Sequence, residues 1–372
     1  MTERWHLVTG EYPPATGGIA RFTAQLAMAL SPRDVHVWTP GGGEPAPGVT
    51  VHSLPDDFGR ASRRTLDTAL DEAPGDVVLL QYTPNAIGAR GANVPFCLWV
   101  RRRVRRGSDI RVVFHEPFFY FARQSLARNA LALVQRLMAW TLLRGARLAY
   151  VSSPSWQSLL APYAPSGITW RWLPITIGLP DASGTSARPA SSPAAGRFSI
   201  GHLGTYSDEI RPALGAAIRE ILRSVPQAQV VCVGKGSREF LREDAFDPSR
   251  VTATGELPEP DVYARISSCD LLFAPFVEGI TARRTSVLTA MALGIPTVST
   301  DGIYTEPLWR ETGAVALVPA GDARAIAVAC AVLARDAAAR AALGRRARKT
   351  YLRHFAPSAT LAALCRAGHE PT

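Results

Sequence analysis

Long apolar segments and cysteine pairs are missing from this chain of 372 residues. No uncharged apolar run reaches the roughly 20 residues that a membrane-spanning helix requires, and the best candidate, Asn129 to Leu143, contains Arg136. We therefore predict no transmembrane segment. The five cysteines are widely spaced and include no CxxC pair, which argues against a zinc cluster or a disulfide framework and indicates reduced, buried thiols.

Lysine is scarce in this chain. Only Lys235 and Lys349 are lysines, so arginine supplies 39 of the 41 basic residues behind the net charge of +10. Arginine binds phosphates in a bidentate manner, although this bias is also typical of a GC-rich genome.

No export signal is visible in the sequence. The first 14 residues are typical of a short strand with Glu3 and Glu11 rather than a signal peptide, and we expect a bacterial, cytoplasmic protein.

Short apolar runs alternate with amphipathic segments through most of the chain. Amphipathic stretches such as Ile19 to Leu30 and Phe121 to Leu143 predict helices, and a last helix is predicted at Pro357 to Ala367. Strands are predicted at Trp5–Thr9, Val35–Thr39, Val49–Leu54, Asp76–Tyr82, Ile110–His115, Arg147–Ser152, Thr169–Leu173, Phe198–Leu203, Gln229–Val233, Val251–Thr254, Leu271–Pro275, Pro296–Thr300 and Val315–Pro319. This alternation predicts mostly parallel sheets covered by helices on both faces.

A stretch of small residues and prolines from Gly178 to Arg197 divides the chain. We expect a Rossmann-like N-terminal domain at residues 1–180, a linker at 181–197 and a Rossmann-like C-terminal domain at 198–353. A terminal helix at 354–372 can pack on the N-terminal domain. Open parallel sheets bind ligands beyond the carboxyl ends of their strands, so the loops there, facing a central cleft, are the expected place of function.

Two loops that precede helices suit an anion. Gly17 and Gly18 end the loop after the first strand and expose backbone N–H groups, although an ordinary glycine turn explains them equally well. Arg283 and Arg284 combine cationic forks with hydroxyls and a helix start, which suits a diphosphate, although the motif taken alone is explained better by a solvated arginine pair. The hydroxyls belong to Thr281, Thr285 and Ser286.

Polar side chains follow two strands of the first half. His115 ends a predicted strand and is able to donate to a sugar hydroxyl or move a proton; a structural cap is the alternative. Further amide, hydroxyl and charged side chains are candidates for binding an acceptor substrate: Gln81, Tyr82, Asn85, Glu116 and Arg21.

Two further motifs have smaller expected roles. Lys235 in VCVGKGS does not form a Walker P-loop, because position 229 is Gln and Gly236 follows the lysine. Arg101 to Arg106 form a basic cluster that we interpret as a solvated helix end; an anionic membrane is the alternative, with the Phe118 to Tyr120 aromatics completing the footprint. No nucleic-acid module accompanies the cluster.

The motifs YPPATGGIARFTAQL, QYTPNAIG, FHEPFF, IGHLGTY, VVCVGKG, VTATGELP and the stretch from PFVEGI to AMALGIPTVST resemble those of GT-B glycosyltransferases, specifically glycosyltransferase family 4. The resemblance runs over most of the chain. It implies an α/β fold of two Rossmann-like domains and retaining transfer of a hexosyl group from a nucleotide diphosphate sugar to a hydroxyl acceptor. We expect that acceptor to belong to bacterial polysaccharide or glycolipid synthesis or to natural-product biosynthesis. No Asp-x-Asp motif occurs, so we expect no essential metal and no cofactor.

The resemblance also assigns roles to residues. It places Gly17 and Gly18 at the donor diphosphate, His115 at the transferred sugar, and Arg283 and Arg284 at phosphate and sugar. Further donor contacts are expected from Gly204, Thr205, Arg211, Lys235, Glu278, Thr281, Thr285, Ser286 and Thr289.

The chain also departs from the pattern of that family. Thr281 and Thr289 occupy the two places of its Glu-x7-Glu pair, and Thr205 replaces one of its two usual cations while Arg211 keeps the other. We expect the Arg-Arg-Thr-Ser loop to supply the missing phosphate charge and Glu278 to replace the first carboxylate, with Glu306 as a further candidate.

Three alternatives stay open at this point. A non-hydrolysing sugar-nucleotide epimerase has the same architecture but needs carboxylates placed for proton transfer. The missing Glu pair also fits a nucleotide-sugar-binding protein without turnover. An enzyme that couples a nucleotide-activated cyclitol has no distinguishing feature at the level of fold.

Overall fold

The computed structural model describes residues 4–15, 17–72, 75–122, 125–146, 148–177 and 197–365. The chain forms two compact units: Met1–Gly178 with Pro357–Thr372 make the first, and Leu179–Ala356 make the second. The stretch that the sequence predicts as a linker lies outside the described residues, apart from Arg197.

The first unit is built on a seven-stranded sheet in which every strand pair is parallel, as predicted. The strand order is β3-β2-β1-β4-β5-β6-β7. The strands are β1 (Trp5–Val8), β2 (Val35–Thr39), β3 (Val49–Ser53), β4 (Val77–Tyr82), β5 (Asp109–Phe114), β6 (Leu148–Val151) and β7 (Thr169–Trp172).

Among the described residues of this unit, the α-helices are α1 (Gly18–Leu30), α2 (Arg60–Glu72), α3 (Val94–Arg105), α4 (Leu126–Leu143), α5 (Pro154–Leu160) and, from the end of the chain, α13 (Pro357–Cys365). The predicted start of α4 at Phe121 is wrong. Ser125 caps the helix, because its side chain accepts a hydrogen bond from the Arg128 N–H at 3.3 Å.

Both faces of the first sheet are buried, which explains the continuous apolar runs of its strands. In β4, Val78, Leu80 and Tyr82 enter one core cluster, while Val77 and Leu79 enter the other. The second cluster also contains Leu364 of α13. Because α13 packs against α1, residues from the end of the chain complete the first core.

The second unit has a six-stranded parallel sheet of order β10-β9-β8-β11-β12-β13. Its strands are β8 (Phe198–Leu203), β9 (Ala228–Val233), β10 (Val251–Ala253), β11 (Leu271–Ala274), β12 (Thr297–Asp301) and β13 (Ala316–Pro319). Its helices are α6 (Arg211–Ser224), α7 (Ser237–Asp244), α8 (Glu259–Ser267), α9 (Thr285–Ala292), α10 (Pro307–Thr312), α11 (Ala323–Arg335) and α12 (Ala337–His354). Both faces of this sheet carry buried apolar clusters.

Both sheets reverse their strand order at one place. In the first sheet β1 lies between β2 and β4, and in the second β8 lies between β9 and β11. Loops after the central strands leave in opposite directions at such a point, which opens a crevice at the carboxyl edge. The Gly17 loop follows β1 and the Arg283 loop follows β11, so the topology brings the predicted residues to the crevice of their own sheet.

Candidate functional site

Two segments at the carboxyl edge of the second sheet are joined by backbone hydrogen bonds: the loop from β11 to α9, and the end of β12 with the loop that follows it. The loop from β11 to α9 donates the Ile280 N–H to the Thr300 carbonyl at 2.8 Å, and it accepts the Tyr304 N–H at the Glu278 carbonyl at 3.1 Å. Gly279 has φ of +93°, and a Cβ there would collide with Thr305 and Gly302. The close approach therefore requires glycine and fixes the loop that leads to Arg283.

Glu306 braces the same loop from the side of β12. Its side chain is only 3% exposed, and both carboxylate oxygens accept the Ala282 N–H, at 3.0 and 3.2 Å. The indole N–H of Trp309 donates to Oε2 at 2.8 Å. A buried carboxylate held in this way fixes the main chain immediately before the two arginines.

Arg284 is a partly buried cation with unused donor capacity. Its guanidinium carbon lies 4.4 Å from the centre of the Phe276 ring, and its buried Nε has no hydrogen-bond partner among the described residues. Burial and then the neighbouring Arg283 lower the pKa of Arg284, while the carboxylates of Glu278 and Glu306 act to raise it. A guanidinium stays protonated under these conditions, so a fixed positive charge faces this edge.

The hydroxyls predicted around the arginines divide into two groups. Thr281, Thr285 and Ser286 are partly exposed beside the arginines, and Glu278 is exposed. Thr289 is buried, and its Oγ1 donates to the Thr285 carbonyl at 2.9 Å within α9. Its hydroxyl proton is thus used inside the helix.

The loop after β8 carries another predicted group. A Cβ at Gly234 would collide with the Gly204 carbonyl, so these two turns touch, and Thr205 and Lys235 are exposed beside them. Arg211 is engaged within its own unit: its Nε donates to the Tyr206 carbonyl at 2.8 Å, and its Nη1 pairs with Glu243. The sequence did not identify Glu243 as the partner of this cation.

In the first unit, α1 begins at Gly18 with Gly17 as its N-cap, as the loop chemistry predicts. The space around Gly18 is open, whereas a Cβ at Gly17 would collide with the Glu11 carboxylate. A negative charge therefore already lies beside Gly17. Arg21 is exposed one turn into the helix.

The residues predicted after β4 and β5 separate by burial. His115 and Gln81 are buried together, with Nε2 of the ring 2.5 Å from Oε1 of the amide. Asn85 and Glu116 are exposed. The prediction that Tyr82 contacts the acceptor is wrong for this structure. Its side chain is fully buried in the core against Phe114, because it points to the opposite face of the sheet from Gln81.

The basic cluster of α3 is only partly a solvated helix end. Arg102, Arg105 and Arg106 are exposed, but Arg103 is buried and pairs with Asp71 at 2.5 Å and Asp67 at 3.4 Å. Phe118, predicted as part of a lipid footprint, is buried as well.

An apolar surface of which the sequence analysis had identified only Tyr120 lies on and just before α4. Leu126 is 89% exposed and Leu133 59% exposed, and Leu137 is also exposed. Their spacing of seven and four residues places them on one helical face. Tyr120 and Phe121 are exposed just before the helix. We refer to these five residues as the α4 surface; the helical period of the leucines was the signal that would have found it.

No helix among the described residues combines the length and hydrophobicity needed to span a bilayer. No group of three or more His, Cys, Asp or Glu side chains suited to a metal ion occurs in the same part of the chain.

Comparisons with known proteins agree with this architecture. Residues 197–336 match the family model described as "Glycosyl transferases group 1". A phosphatidyl-myo-inositol mannosyltransferase of Mycobacterium leprae is 25% identical over 86% of this chain and 84% of its own. Two solved structures share the fold. One is a sucrose-phosphate synthase of Thermosynechococcus elongatus, with a TM-score of 0.70, 17% identity and 98% of each chain covered.

The other is Anabaena HepE in complex with UDP, with a TM-score of 0.68, 15% identity, and 98% and 99% of the two chains covered. At these identities the structures show the fold alone. The whole chain therefore has the GT-B fold of these structures, and its second unit carries a domain that matches the family described as "Glycosyl transferases group 1" over residues 197–336.

Proposed function

We propose that the protein transfers a hexosyl group from a nucleoside diphosphate sugar to a hydroxyl acceptor, with retention of the anomeric configuration and without an essential metal. The observation that carries this proposal is the Arg283–Arg284 loop, which Glu306 and the Gly279 turn fix at the crevice of the second sheet. The M. leprae relative is named as a mannosyltransferase, and HepE was solved with UDP. Both names support a sugar donor of this class.

The arginines supply the charge that the reaction needs. When the bond between the anomeric carbon and the diphosphate oxygen breaks, negative charge grows on the diphosphate. Arg283 and Arg284 stabilise that charge most strongly if they are already in place, because no reorganisation is then needed during the reaction. Two guanidinium groups on a loop whose main chain is fixed by a buried carboxylate meet this requirement, and in our proposal they take the role that a metal ion has at other diphosphate sites.

The anomeric configuration is retained if the diphosphate leaves and the acceptor oxygen attacks on the same face of the sugar. The acceptor oxygen forms its bond to the anomeric carbon on the face from which the diphosphate departs, and a diphosphate oxygen takes the acceptor proton. No covalent intermediate with the protein forms. The protein contributes orientation and electrostatic stabilisation.

A thermal-shift screen with UDP, GDP, ADP and TDP and their sugars tests the donor site, because a ligand that binds only the folded state raises the melting temperature. We expect one nucleotide family to stabilise the protein and Arg283→Ala/Arg284→Ala to abolish the shift. Arg223→Ala, which removes an exposed arginine paired with Glu220 on α6, is the matched control. A shift that survives the double substitution would contradict the proposal.

Two further measurements test the chemistry once the donor is known. The anomeric configuration of the product, read by NMR, is expected to equal that of the donor. Turnover is expected to be unchanged by excess EDTA. An inverted product would overturn the retaining mechanism, and loss of turnover with EDTA that added Mg²⁺ restores would overturn metal independence.

We further propose that the acceptor belongs to bacterial glycolipid or polysaccharide synthesis and that the protein works in the cytoplasm at the surface of an anionic membrane. Residues 94–147 contain eleven arginines but only Asp109 and Glu116 as carboxylates. The α4 surface lies within this segment, and Arg136 packs over the ring of Phe121 at 4.1 Å. Exposed leucines and aromatics flanked by arginines suit a bilayer with acidic headgroups.

Vesicle sedimentation tests this contact. Vesicles with phosphatidylglycerol are expected to bind the protein, vesicles of phosphatidylcholine alone are not, and Leu133→Ser/Leu137→Ser is expected to abolish binding. The control is Val328→Ser/Val332→Ser, because these exposed apolar residues lie on α11 of the other unit. Equal binding by both variants, or concentration-dependent dimers that disappear with the α4 substitutions, would overturn the lipid assignment.

A further inference from the structure

Gln81 and His115 form a buried pair at the carboxyl ends of β4 and β5. The His115 N–H donates to the Tyr82 carbonyl at 3.0 Å, which extends the pairing of the two strands by one residue. From this position the ring reaches the Gln81 amide, with 2.5 Å between Nε2 and Oε1. Gln81 is 0% exposed, so solvent does not compete for this hydrogen bond.

The surroundings of His115 hold it in place from two further sides. The Phe22 ring of α1 meets the imidazole edge-on, with 5.3 Å between ring centres. The His115 carbonyl accepts the Trp156 indole N–H at 2.8 Å and the Ser152 hydroxyl at 3.3 Å. Both the main chain and the ring of His115 are therefore fixed before any ligand binds.

An amide oxygen only accepts hydrogen bonds, so the ring must donate to it. A neutral imidazole that donates from Nε2 carries its lone pair on Nδ1. The contact with Gln81 thus selects one of the two tautomers. The other half of the amide is unused: Nε2 of Gln81 is buried and has no hydrogen-bond partner among the described residues.

We propose that Gln81 is a positioning residue for His115. Its Oε1 holds the imidazole as the Nε2–H tautomer, and its amide N–H is reserved for a hydroxyl of the bound sugar or acceptor. An unmet donor in a buried place costs stability, which a ligand hydroxyl would recover. The role in substrate orientation rests on the proposed function, whereas the control of the tautomer does not.

Long-range ¹⁵N–¹H NMR of protein labelled at its seven histidines tests the tautomer directly. The His115 signals are assigned by their loss in His115→Asn. We expect the Nε2–H pattern in the unsubstituted protein and a mixture of tautomers in Gln81→Leu. An Nδ1–H pattern at the start, or an unchanged pattern in Gln81→Leu, would overturn the proposal.

Turnover gives the second readout. Gln81→Leu is expected to lower kcat about 10–100-fold with little change in the donor KM, because a small misplacement of a functional group reduces rate more than binding. Gln81→Glu keeps the shape of the side chain and should shift the acidic limb of the pH–rate profile, since a carboxylate favours the protonated ring. Gln25→Leu removes another buried glutamine of the first unit with an unpartnered oxygen and serves as control.

The two readouts separate the possible failures. A correct tautomer in a protein without any glycosyl transfer would contradict the proposed function and leave the positioning of His115 standing. Normal kcat and an unchanged pH profile in both Gln81 variants would overturn the role of Gln81 in the reaction. If Gln81→Leu does not fold, the isosteric Gln81→Glu variant still decides the matter.

Discussion

The carboxyl edges of the two sheets have the same topology but opposite chemistry. In the first unit the edge holds a buried, hydrogen-bonded pair, His115 and Gln81, and the carboxylate of Glu11 lies beside Gly17. In the second unit the edge holds Arg283 and Arg284 on a loop braced by Glu306. Charge for a diphosphate is thus built into the second unit, whereas the first offers shape and hydrogen bonds.

The largest expected effect comes from removing the charge of the second edge. Arg283→Ala/Arg284→Ala is expected to lower kcat by about 10²–10³, the range found when a preorganised donor to developing negative charge is lost. Steady-state kinetics at saturating donor measure it, with Arg223→Ala as control. A loss below about threefold would show that the contrast between the two edges does not concern catalysis.

Glu306, which fixes the loop before Arg283, should contribute to the stability of the second unit as well as to function. Glu306→Leu leaves the Ala282 N–H and the Trp309 indole N–H without an acceptor in a buried place. We expect the free energy of unfolding of the second unit to fall by about 2–4 kcal/mol. Urea denaturation checks this, and Glu311→Leu, an exposed glutamate on the same helix, should change it by less than about 0.5 kcal/mol.

Low pH should lower the free energy of unfolding of the second unit because of one histidine, His202. Burial lowers the pKa of His202 to about 3, while an unfolded chain titrates near 6.5. The folded unit keeps His202 neutral, so its contribution is complete above pH 6.5 and falls as the pH drops below that value. The expected loss between pH 7.5 and 5.5 is about 1 kcal/mol.

His202→Phe isolates this contribution. The Tyr206 hydroxyl keeps the backbone carbonyl of residue 202 as an acceptor, and Phe273 already packs there. Urea midpoints of the variant should therefore depend less on pH than those of the unsubstituted protein. An equal pH dependence in both would contradict the assignment to His202.

The smallest effect is expected at Arg211. Because Glu243 and the Tyr206 carbonyl already engage its guanidinium, Arg211→Met should weaken donor binding by less than about threefold, the size of a partly exposed ion pair. Titration calorimetry with the nucleotide measures it. A loss as large as that of Arg283→Ala would mean that Arg211 releases Glu243 when the donor binds, and that the second edge has three working cations.

The strands were predictable because both faces of each sheet are buried. The sequence of a strand such as β4 is therefore almost entirely apolar. Its predicted limits, Asp76 to Tyr82, differ from the observed limits, Val77–Tyr82, by one residue. Helix limits depend more on local caps, which is why the start of α4 moved from Phe121 to Leu126.

Side-chain partners were less predictable because they come from distant parts of the chain. The buried guanidinium of Arg103 is paired with Asp67 and Asp71, which lie one turn apart on α2. Tyr82 and Gln81 are adjacent in sequence, yet the period of the strand sends one into the core and the other to His115. The sequence predicted which loops form the candidate site, and the structure assigned which side chains face one another.

The return of α13 to the first unit bears on synthesis by the ribosome. Thr360 donates to the Pro174 carbonyl at 3.2 Å, and Tyr150 donates to the Leu364 carbonyl at 3.2 Å. The unit translated first therefore cannot close its core until the whole of the second has emerged. A nascent chain arrested before residue 357 would leave exposed the apolar surface beside α1 that α13 covers, and it is this intermediate that a chaperone would be expected to shield.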